Sequence, residues 1–340
     1  MRRSTKKTLI AVVIIAAVAA AAGLFRPSGP KPPVPPPTAE PLPAPSTGPA
    51  SEPSASLGLP VKPLTTSSAP ATSAEDAQRA FKTGLELMDA RKFVEARTEL
   101  SKALFSEHLA QPQAEQARNM LTELFNLTIR SPVVYPGDPY TFHYEFKPGE
   151  RLAGESGVVR REALRVPEAF MLEINNLASG SQIQAGKEYK LVRGPFHAVI
   201  YKSKLVMDLY LQPQGFPKVF VKRVPVGLGK NGATPTGAWR VQKGEKKTRP
   251  TWTPPSSSPL TGVIEYGQPG YGFGAKGLWI GLEGTDERTA AEHSYGIHST
   301  NDPSSIGKQE SLGCIRLRDE DIELAFNLLY EVWSTVQTMD

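Results

Sequence analysis

Read for the spacing of its apolar positions, the 340-residue chain changes character several times. Residues 9–25 form an uncharged, mostly apolar run that follows Arg2, Arg3, Lys6 and Lys7. As a helix this run is about 25 Å long, slightly short of a hydrocarbon core of about 30 Å. It is longer than the roughly 7–15 apolar residues of a cleavable signal core, so residues 1–26 are expected to be a signal anchor. The alanines from Ala19 to Ala22 offer the alternative, a small-residue cleavage site. The basic flank predicts a cytoplasmic N-terminus with the rest of the chain outside, placing the protein in the cell envelope. Residues 27–74 are dominated by Pro, Ala, Ser, Thr and Gly. Such a segment buries too little apolar surface to offset its ordering entropy and is expected to be a spacer reaching on the order of 100 Å.

Beyond the spacer the period becomes helical. Over residues 75–131, Ala80, Leu87 and Met88, then Ala96, Leu100, Ala103 and Leu104, then Leu121, Leu124 and Phe125 recur at i, i+3, i+4 intervals. Gly84, Phe93, Glu95-Ala96 and Ala103-Leu104 resemble a tetratricopeptide repeat. One repeat with a third helix cannot build a superhelical groove, so a small structural or docking unit is expected. Residues 140–193 alternate differently: a β-like stretch at 140–146, a Pro148-Gly149 turn, a helical run from Pro167 to Leu177, and a second strand through 189–192. Ile174-Asn175-Asn176-Leu177 and the Ile183-x-x-Gly-Lys-x-Tyr-x-Leu-Val192 ending resemble a LysM module, a βααβ unit that binds N-acetylglucosamine polymers. The middle, residues 153–165, is longer and more charged than that likeness implies.

From residue 196 to 340 the pattern is strand-rich. Short apolar runs at 198–201, 205–211, 219–226, 238–241 and 278–282 are separated by Gly, Pro, Asn and Lys. One helix is predicted, over 319–332, with Asp319 as its N-cap. The expected architecture is therefore multidomain: a small all-α unit, an α+β module and a mainly-β domain.

Charge narrows the partners. The net charge is +5 and the pI about 9.1, with basic residues spread along the chain and no nucleic-acid motif. This fits weak attraction to an anionic envelope and excludes a nucleic-acid partner.

Chemistry concentrates at the only cysteine, Cys314. A lone cysteine forms no intramolecular disulfide, which leaves a small buried hydrophobe, an intermolecular bridge or a nucleophile. Its neighbours favour the nucleophile: Gly313 allows close approach, Ser311 and Arg316 flank it, and His298 lies upstream as a base. The segment His298 to Arg316, ending Ser-Leu-Gly-Cys-Ile-Arg, resembles the signature of the L,D-transpeptidases of the YkuD type. Val226-Gly-Leu-Gly-Lys230 with Thr234-Pro-Thr-Gly237, Arg249-Pro-Thr-Trp-Thr-Pro-Pro255 and Tyr295-Gly-Ile-His298 resemble further blocks of the same family. Two positions depart from its common pattern: Ser299 stands where many members carry Gly, and Leu312 where many carry His or another basic residue. Specificity is expected to shift there, and the chemistry to be retained.

The resemblance implies a β-sandwich in which the cysteine lies in a cleft beneath a flap, for which residues 266–273 are the candidate. It implies acyl transfer from a peptidoglycan tetrapeptide stem. Cys314 attacks, D-alanine leaves, and an amine of a neighbouring stem resolves the thioester in a 3→3 cross-link. His298 serves as base or as imidazolium partner, and Ser299 orients the imidazole through its carbonyl or hydroxyl. Backbone N–H groups at Gly313 and Cys314 form the oxyanion hole, while Arg316 holds a substrate carboxylate or pins the loop. Ser311, Tyr295 and Trp252 complete the substrate-binding set. No cofactor or metal is expected, since a His293–His298 pair lacks further ligands. His108, His143, His197 and His293 read as structural or surface residues. Water as acceptor gives an L,D-carboxypeptidase, and a protein lysine gives an envelope-attachment enzyme. A wall-binding scaffold with a degenerate catalytic fold is the non-enzymatic alternative.

Overall fold

The structure, a computed structural model, describes residues 73–255 and 258–340. The expected anchor at 1–26 and almost all of the spacer lie outside the described residues. Among the described residues no helix is long and apolar enough to cross a membrane.

Three helices come first: α1 (Ala74–Asp89), α2 (Phe93–Phe105) and α3 (Gln111–Phe125), the last running on as a π-turn (Asn126–Arg130). Ser73 and Asp76 close the start of α1 reciprocally, each side chain accepting the other's backbone N–H. The apolar stripes of the helices, including Phe81, Leu100, Leu104 and Leu121, meet in one cluster that also takes in Phe220 from far along the chain.

A βααβ unit follows: β1 (Thr141–Glu145), α4 (Val158–Arg161), α5 (Glu168–Ile174) and β2 (Glu188–Val192). Its strands pair antiparallel, Thr141 facing Val192. The charged middle segment is folded by burying Val158, Val159, Leu164 and Val166 while Arg160 and Arg161 stay exposed and Arg165 packs over the Trp333 ring at 4.2 Å.

The remaining strands are β3 (Phe196–Tyr201), β4 (Val206–Leu211), β5 (Val219–Pro225), β6 (Leu228–Gly229), β7 (Gly237–Thr248), β8 (Leu278–Gly284), β9 (Tyr295–Ser299), β10 (Gln309–Ser311) and β11 (Ile315–Leu317). The helix α6 (Asp319–Leu328) and β12 (Thr335–Met339) close the chain. The mainly-β expectation holds for this domain. The strands are not, however, two separate sheets. They form one eight-stranded sheet in the order β11-β9-β8-β7-β12-β3-β4-β5, beside a two-stranded β6–β10 pair. The joint is β12, which pairs parallel with β3 and antiparallel with β7 and so welds the two halves through main-chain hydrogen bonds. Other details also differ from the sequence reading. Arg318 occupies the N-cap of α6 and Asp319 is its first residue. The helix stops at Leu328 because Lys246 Nζ caps the Phe326 and Leu329 carbonyls, each at 2.7 Å, and Val332 turns away to bond Val241. His197 lies inside β3, buried, with Nδ1 2.8 Å from the Thr335 hydroxyl.

The helical unit, the βααβ unit and the sheet meet in a triangle of phenyl rings. Phe125, Phe170 and Phe196 lie 5.5–6.3 Å apart, centroid to centroid. Beside it Arg97 of α2 forms a fully buried pair with Asp138 (2.8 Å) and also donates to the Thr128 hydroxyl. Lys190 of β2 sends its ammonium to the carbonyls of Thr128, Ser131 and Val133 at 2.7–2.9 Å. Arg97 Nε has no partner among the described residues, so this pair specifies geometry more than it adds stability. On the far side α2 and α3 lie over β5, where Phe220 N–H donates to Ser101 Oγ at 3.3 Å and Phe105 packs on Phe220 at 6.5 Å. The helices thereby cover a sheet edge that would otherwise present an unpaired strand.

Candidate active site

At the opposite edge, β11 runs parallel to β9 with Arg316 opposite His298. Side chains of in-register neighbours share a face and alternate along each strand, so Cys314, one step before β11, projects to the same face as Gly296, His298 and Arg316. Two residues separated by sixteen positions are thus brought side by side by strand register alone.

The loop that carries the thiol is pinned at several points. Ser311 Oγ donates to the Cys314 carbonyl at 2.7 Å and accepts the Gly313 N–H at 3.1 Å. Thr234 Oγ1 donates to the Gly313 carbonyl and accepts from Gly229 N–H, both at 2.8 Å. Gly313 has φ +143°, and a Cβ there would stand 2.6 Å from the Tyr295 ring, so only glycine fits. Tyr295 is held in turn by packing on Trp239 (5.3 Å) and by its hydroxyl on the Ala233 carbonyl.

His298 is buried, stacked on Trp279 at 5.7 Å and 22° and met by the Phe273 ring at 5.0 Å. Gly296 is what admits Trp279: a Cβ there would lie 2.5 Å from the indole. His298 Nδ1 lies 2.6 Å from the Ser299 carbonyl. A carbonyl only accepts, so Nδ1 carries the proton and Nε2 keeps its lone pair. The Ser299 hydroxyl donates instead to the Phe273 carbonyl, so of the two groups expected to orient the imidazole it is the carbonyl that does so. Burial, helped by the Arg316 charge, pushes the imidazole down to about 4 against the opposing pull of the Ser299 carbonyl.

Cys314 is half-buried. Burial raises the thiol above its ordinary value, opposed by the Gly296 N–H and by Arg316. Its Sγ lies 3.8 Å from the Ser294 carbonyl. Both shifts favour the uncharged forms, thiol and neutral imidazole. The Gly313 N–H, expected in an oxyanion hole, is already taken by Ser311. The Cys314 N–H has no hydrogen-bond partner among the described residues and is the available donor.

A cleft of about 700 Å³ borders the thiol through Ser294 and Tyr295, and Phe273, Trp279, Glu283, Glu292 and His293 also line it. Cys314 and His298 do not line it themselves; the thiol lies at its rim, against the Ser294 carbonyl. Leu312 stands 51% exposed next to Gly313. Trp252 is one layer out: it pairs with Ile264 and packs on Gly272 and Phe273, supporting the loop at 266–273. Arg316 pairs through its backbone with Gly227, at 2.8 and 2.9 Å, which closes β11 at one residue. Its guanidinium enters no ion pair among the described residues and is felt by both His298 and Cys314. His293, His143 and His108 are exposed. Among the described residues no three His, Cys, Asp or Glu side chains converge to hold a metal ion. Sequence reasoning missed Thr234 and Phe273. Thr234 lay in a quoted block and Phe273 at the end of the flap segment, but neither has a side-chain chemistry that announces its use.

The family model for the L,D-transpeptidase catalytic domain (YkuD) matches residues 196–337. The probable L,D-transpeptidase YbiS of Escherichia coli (strain K12) is 33% identical over 153 residues, covering 42% of this chain and 45% of that protein. The putative L,D-transpeptidase YkuD of Bacillus licheniformis is 30% identical over 190 residues, 54% of this chain and 90% of that protein. Its Bacillus subtilis (strain 168) counterpart is 48% identical over 133 residues, 38% of this chain and 59% of that one. The chain thus spans less than half the length of the Escherichia coli relative and nearly all of the Bacillus licheniformis one. The residues matched by the family model include both the cysteine strand and the histidine strand, and on its identity with the Bacillus licheniformis protein, 90% of which it covers, the chain belongs to the L,D-transpeptidase family.

Proposed function

We propose that the protein is a peptidoglycan L,D-transpeptidase that works through Cys314. The observation that carries this reading is the shared sheet face of Cys314 and His298, with the imidazole fixed as the Nδ1–H tautomer by the Ser299 carbonyl. His298 Nε2 takes the thiol proton as Sγ attacks the carbonyl between the third stem residue and terminal D-alanine. The Cys314 N–H donates to the developing oxyanion. The imidazolium returns its proton to the departing amine, D-alanine leaves, and a thioester remains. An amine of a second stem then gives its proton to His298 and displaces sulfur, which closes the cross-link and restores the thiol. Arg316, whose guanidinium enters no ion pair among the described residues although its charge reaches the Asp302 carboxylate, binds a stem carboxylate. Tyr295 forms a wall of the cleft and Leu312 an apolar lip beside the nucleophile.

The accessory units fit an envelope enzyme. The paired strands and intervening helices at 140–193 support the LysM-like reading and glycan as a further partner. The helical unit at 75–131 acts as a cover for β5. An anchor at 1–26 and the spacer after it would hold the enzyme at the membrane.

The test is to incubate the full-length protein with a disaccharide-tetrapeptide and follow products by mass spectrometry, with Cys314→Ala alongside. A cysteine-dependent dimer lacking one D-alanine supports transpeptidation. A tripeptide identifies a carboxypeptidase. Unchanged substrate across stems of different diamino acids overturns the enzymatic reading in favour of a wall-binding scaffold.

A further inference from the structure

We propose that Phe273 is a positioning residue that couples occupancy of the cleft to the orientation of His298; this rests on the transpeptidase reading of the site. Phe273 is the point where three separate constraints converge. Its carbonyl accepts the Ser299 hydroxyl, and the Ser299 carbonyl in turn accepts His298 Nδ1–H at 2.6 Å. Its ring meets the imidazole at 5.0 Å and 60°, and also contacts Trp279 at 5.3 Å, the ring on which the imidazole stacks. One residue therefore touches both the hydrogen-bonded side and the packed side of the base.

The same residue forms part of the cleft wall, so a substrate lying there presses on it directly. Phe273 also ends the flap segment. Tyr266 meets Tyr271 at 5.6 Å, Tyr271 meets Phe273 at 5.7 Å, and Trp252 meets Phe273 at 6.5 Å. The segment is tied down at both sides, by Tyr271 Oη on the Pro250 carbonyl and by Asn301 Nδ2 on the Tyr271 carbonyl. Asn301 lies just past the histidine strand, which makes flap and base one mechanical piece. A displacement of Phe273 moves the Ser299 hydroxyl, and with it the carbonyl that fixes the imidazole tautomer. Phe273 itself touches no reacting atom. It acts through His298.

Nitrogen-correlated NMR of the imidazoles reads this without turnover. The chain has five histidines, and His298→Gln assigns the signal in question. In the full-length wild-type protein His298 is expected as a single Nδ1–H tautomer. Phe273→Ala should give a tautomer mixture that titrates closer to the ordinary 6.5. In turnover Phe273→Ala should lower kcat by about 10²-fold with little change in KM, the size expected when a catalytic group is misplaced by about 1 Å. Phe273→Tyr, which keeps ring and carbonyl, should restore both readouts. Ser299→Ala removes only the hydroxyl link and should move both readouts in the same direction. The double variant should fall short of the sum of the two, as coupled sites do. An unchanged tautomer and titration in Phe273→Ala, or a loss confined to KM, or a loss accounted for by its unfolded fraction, overturns the proposal. A wild-type protein inactive on every stem sinks the transpeptidase reading, while the NMR comparison still decides whether Phe273 positions His298.

Discussion

At the β5 edge of the sheet, Phe220 is sealed beneath α2 and α3, its N–H held by Ser101 and its ring by Phe105. At the β11 edge, where the strand is only three residues long, the chemistry is inverted. There the Cys314 N–H and the Arg316 guanidinium lack partners among the described residues, Gly313 sits at φ +143°, and a half-buried thiol borders a cleft. One sheet thus ends in a satisfied edge and an unsatisfied one. Stability is concentrated where polar groups are paired and rings packed, and reactivity where the same fold holds groups short of their partners.

Removing the base should have the largest effect at the reactive edge. His298→Ala is expected to lower kcat by about 10²–10⁴-fold, the range for a general base, while the thermal unfolding midpoint changes little by comparison. Cleavage of a tetrapeptide stem followed by mass spectrometry measures it. At the covered edge the pattern should reverse. Phe220→Ala is expected to cost about 3–5 kcal/mol in a urea unfolding series, the range for truncating a buried phenylalanine, with kcat/KM of the folded protein unchanged. Equal damage to activity and stability by either variant would erase the distinction between the edges.

Acid should strain both halves of the sheet together. Burial, reinforced by Lys218, pushes His197 down to about 4, as burial does for His298. Unfolded, both take a proton near 6.5. Between these values the unfolded state binds more protons, so stability is full above about 6.5 and falls as pH drops towards about 4. Urea midpoints across that window should show the fall, and His197→Gln should make it shallower. The smallest effect concerns the cysteine loop. Gly313→Ala forces a Cβ against Tyr295 and should cost about 1–3 kcal/mol, the usual scale of such backbone strain. Its activity should fall further than its stability, because the loop carries the proposed nucleophile; a loss of stability alone would make Gly313 a packing residue only.

The proposed catalytic pair, Cys314 and His298, was legible in the sequence because its chemistry is local and rare: one cysteine in the chain, a histidine on a strand, and glycines where close approach is needed. The three helices were legible from their period, and so were most strands. What escaped depends on contacts remote in sequence. The pairing of β12 between β7 and β3 joins segments about 100 and about 140 residues apart, and a period-two pattern does not say which strand is its neighbour. Arg97 reads as an ordinary helix-surface arginine until Asp138 closes over it. The use of the Gly313 N–H by Ser311 is a turn geometry that residue types do not encode, and it removes one of two expected oxyanion donors. Asp319 carried the residue type of an N-cap, but the chain enters α6 one residue earlier.

The central claim, a neutral thiol–imidazole pair at the open edge, is tested most directly by single-turnover acylation of Cys314 followed by intact-protein mass spectrometry across pH. The account predicts an acyl adduct on Cys314 with loss of D-alanine, its rate rising through an acid limb near pH 4, where the buried imidazole gives up its proton. An acid limb near 6.5, the value of an unperturbed imidazole, or an adduct on any other residue, would contradict it.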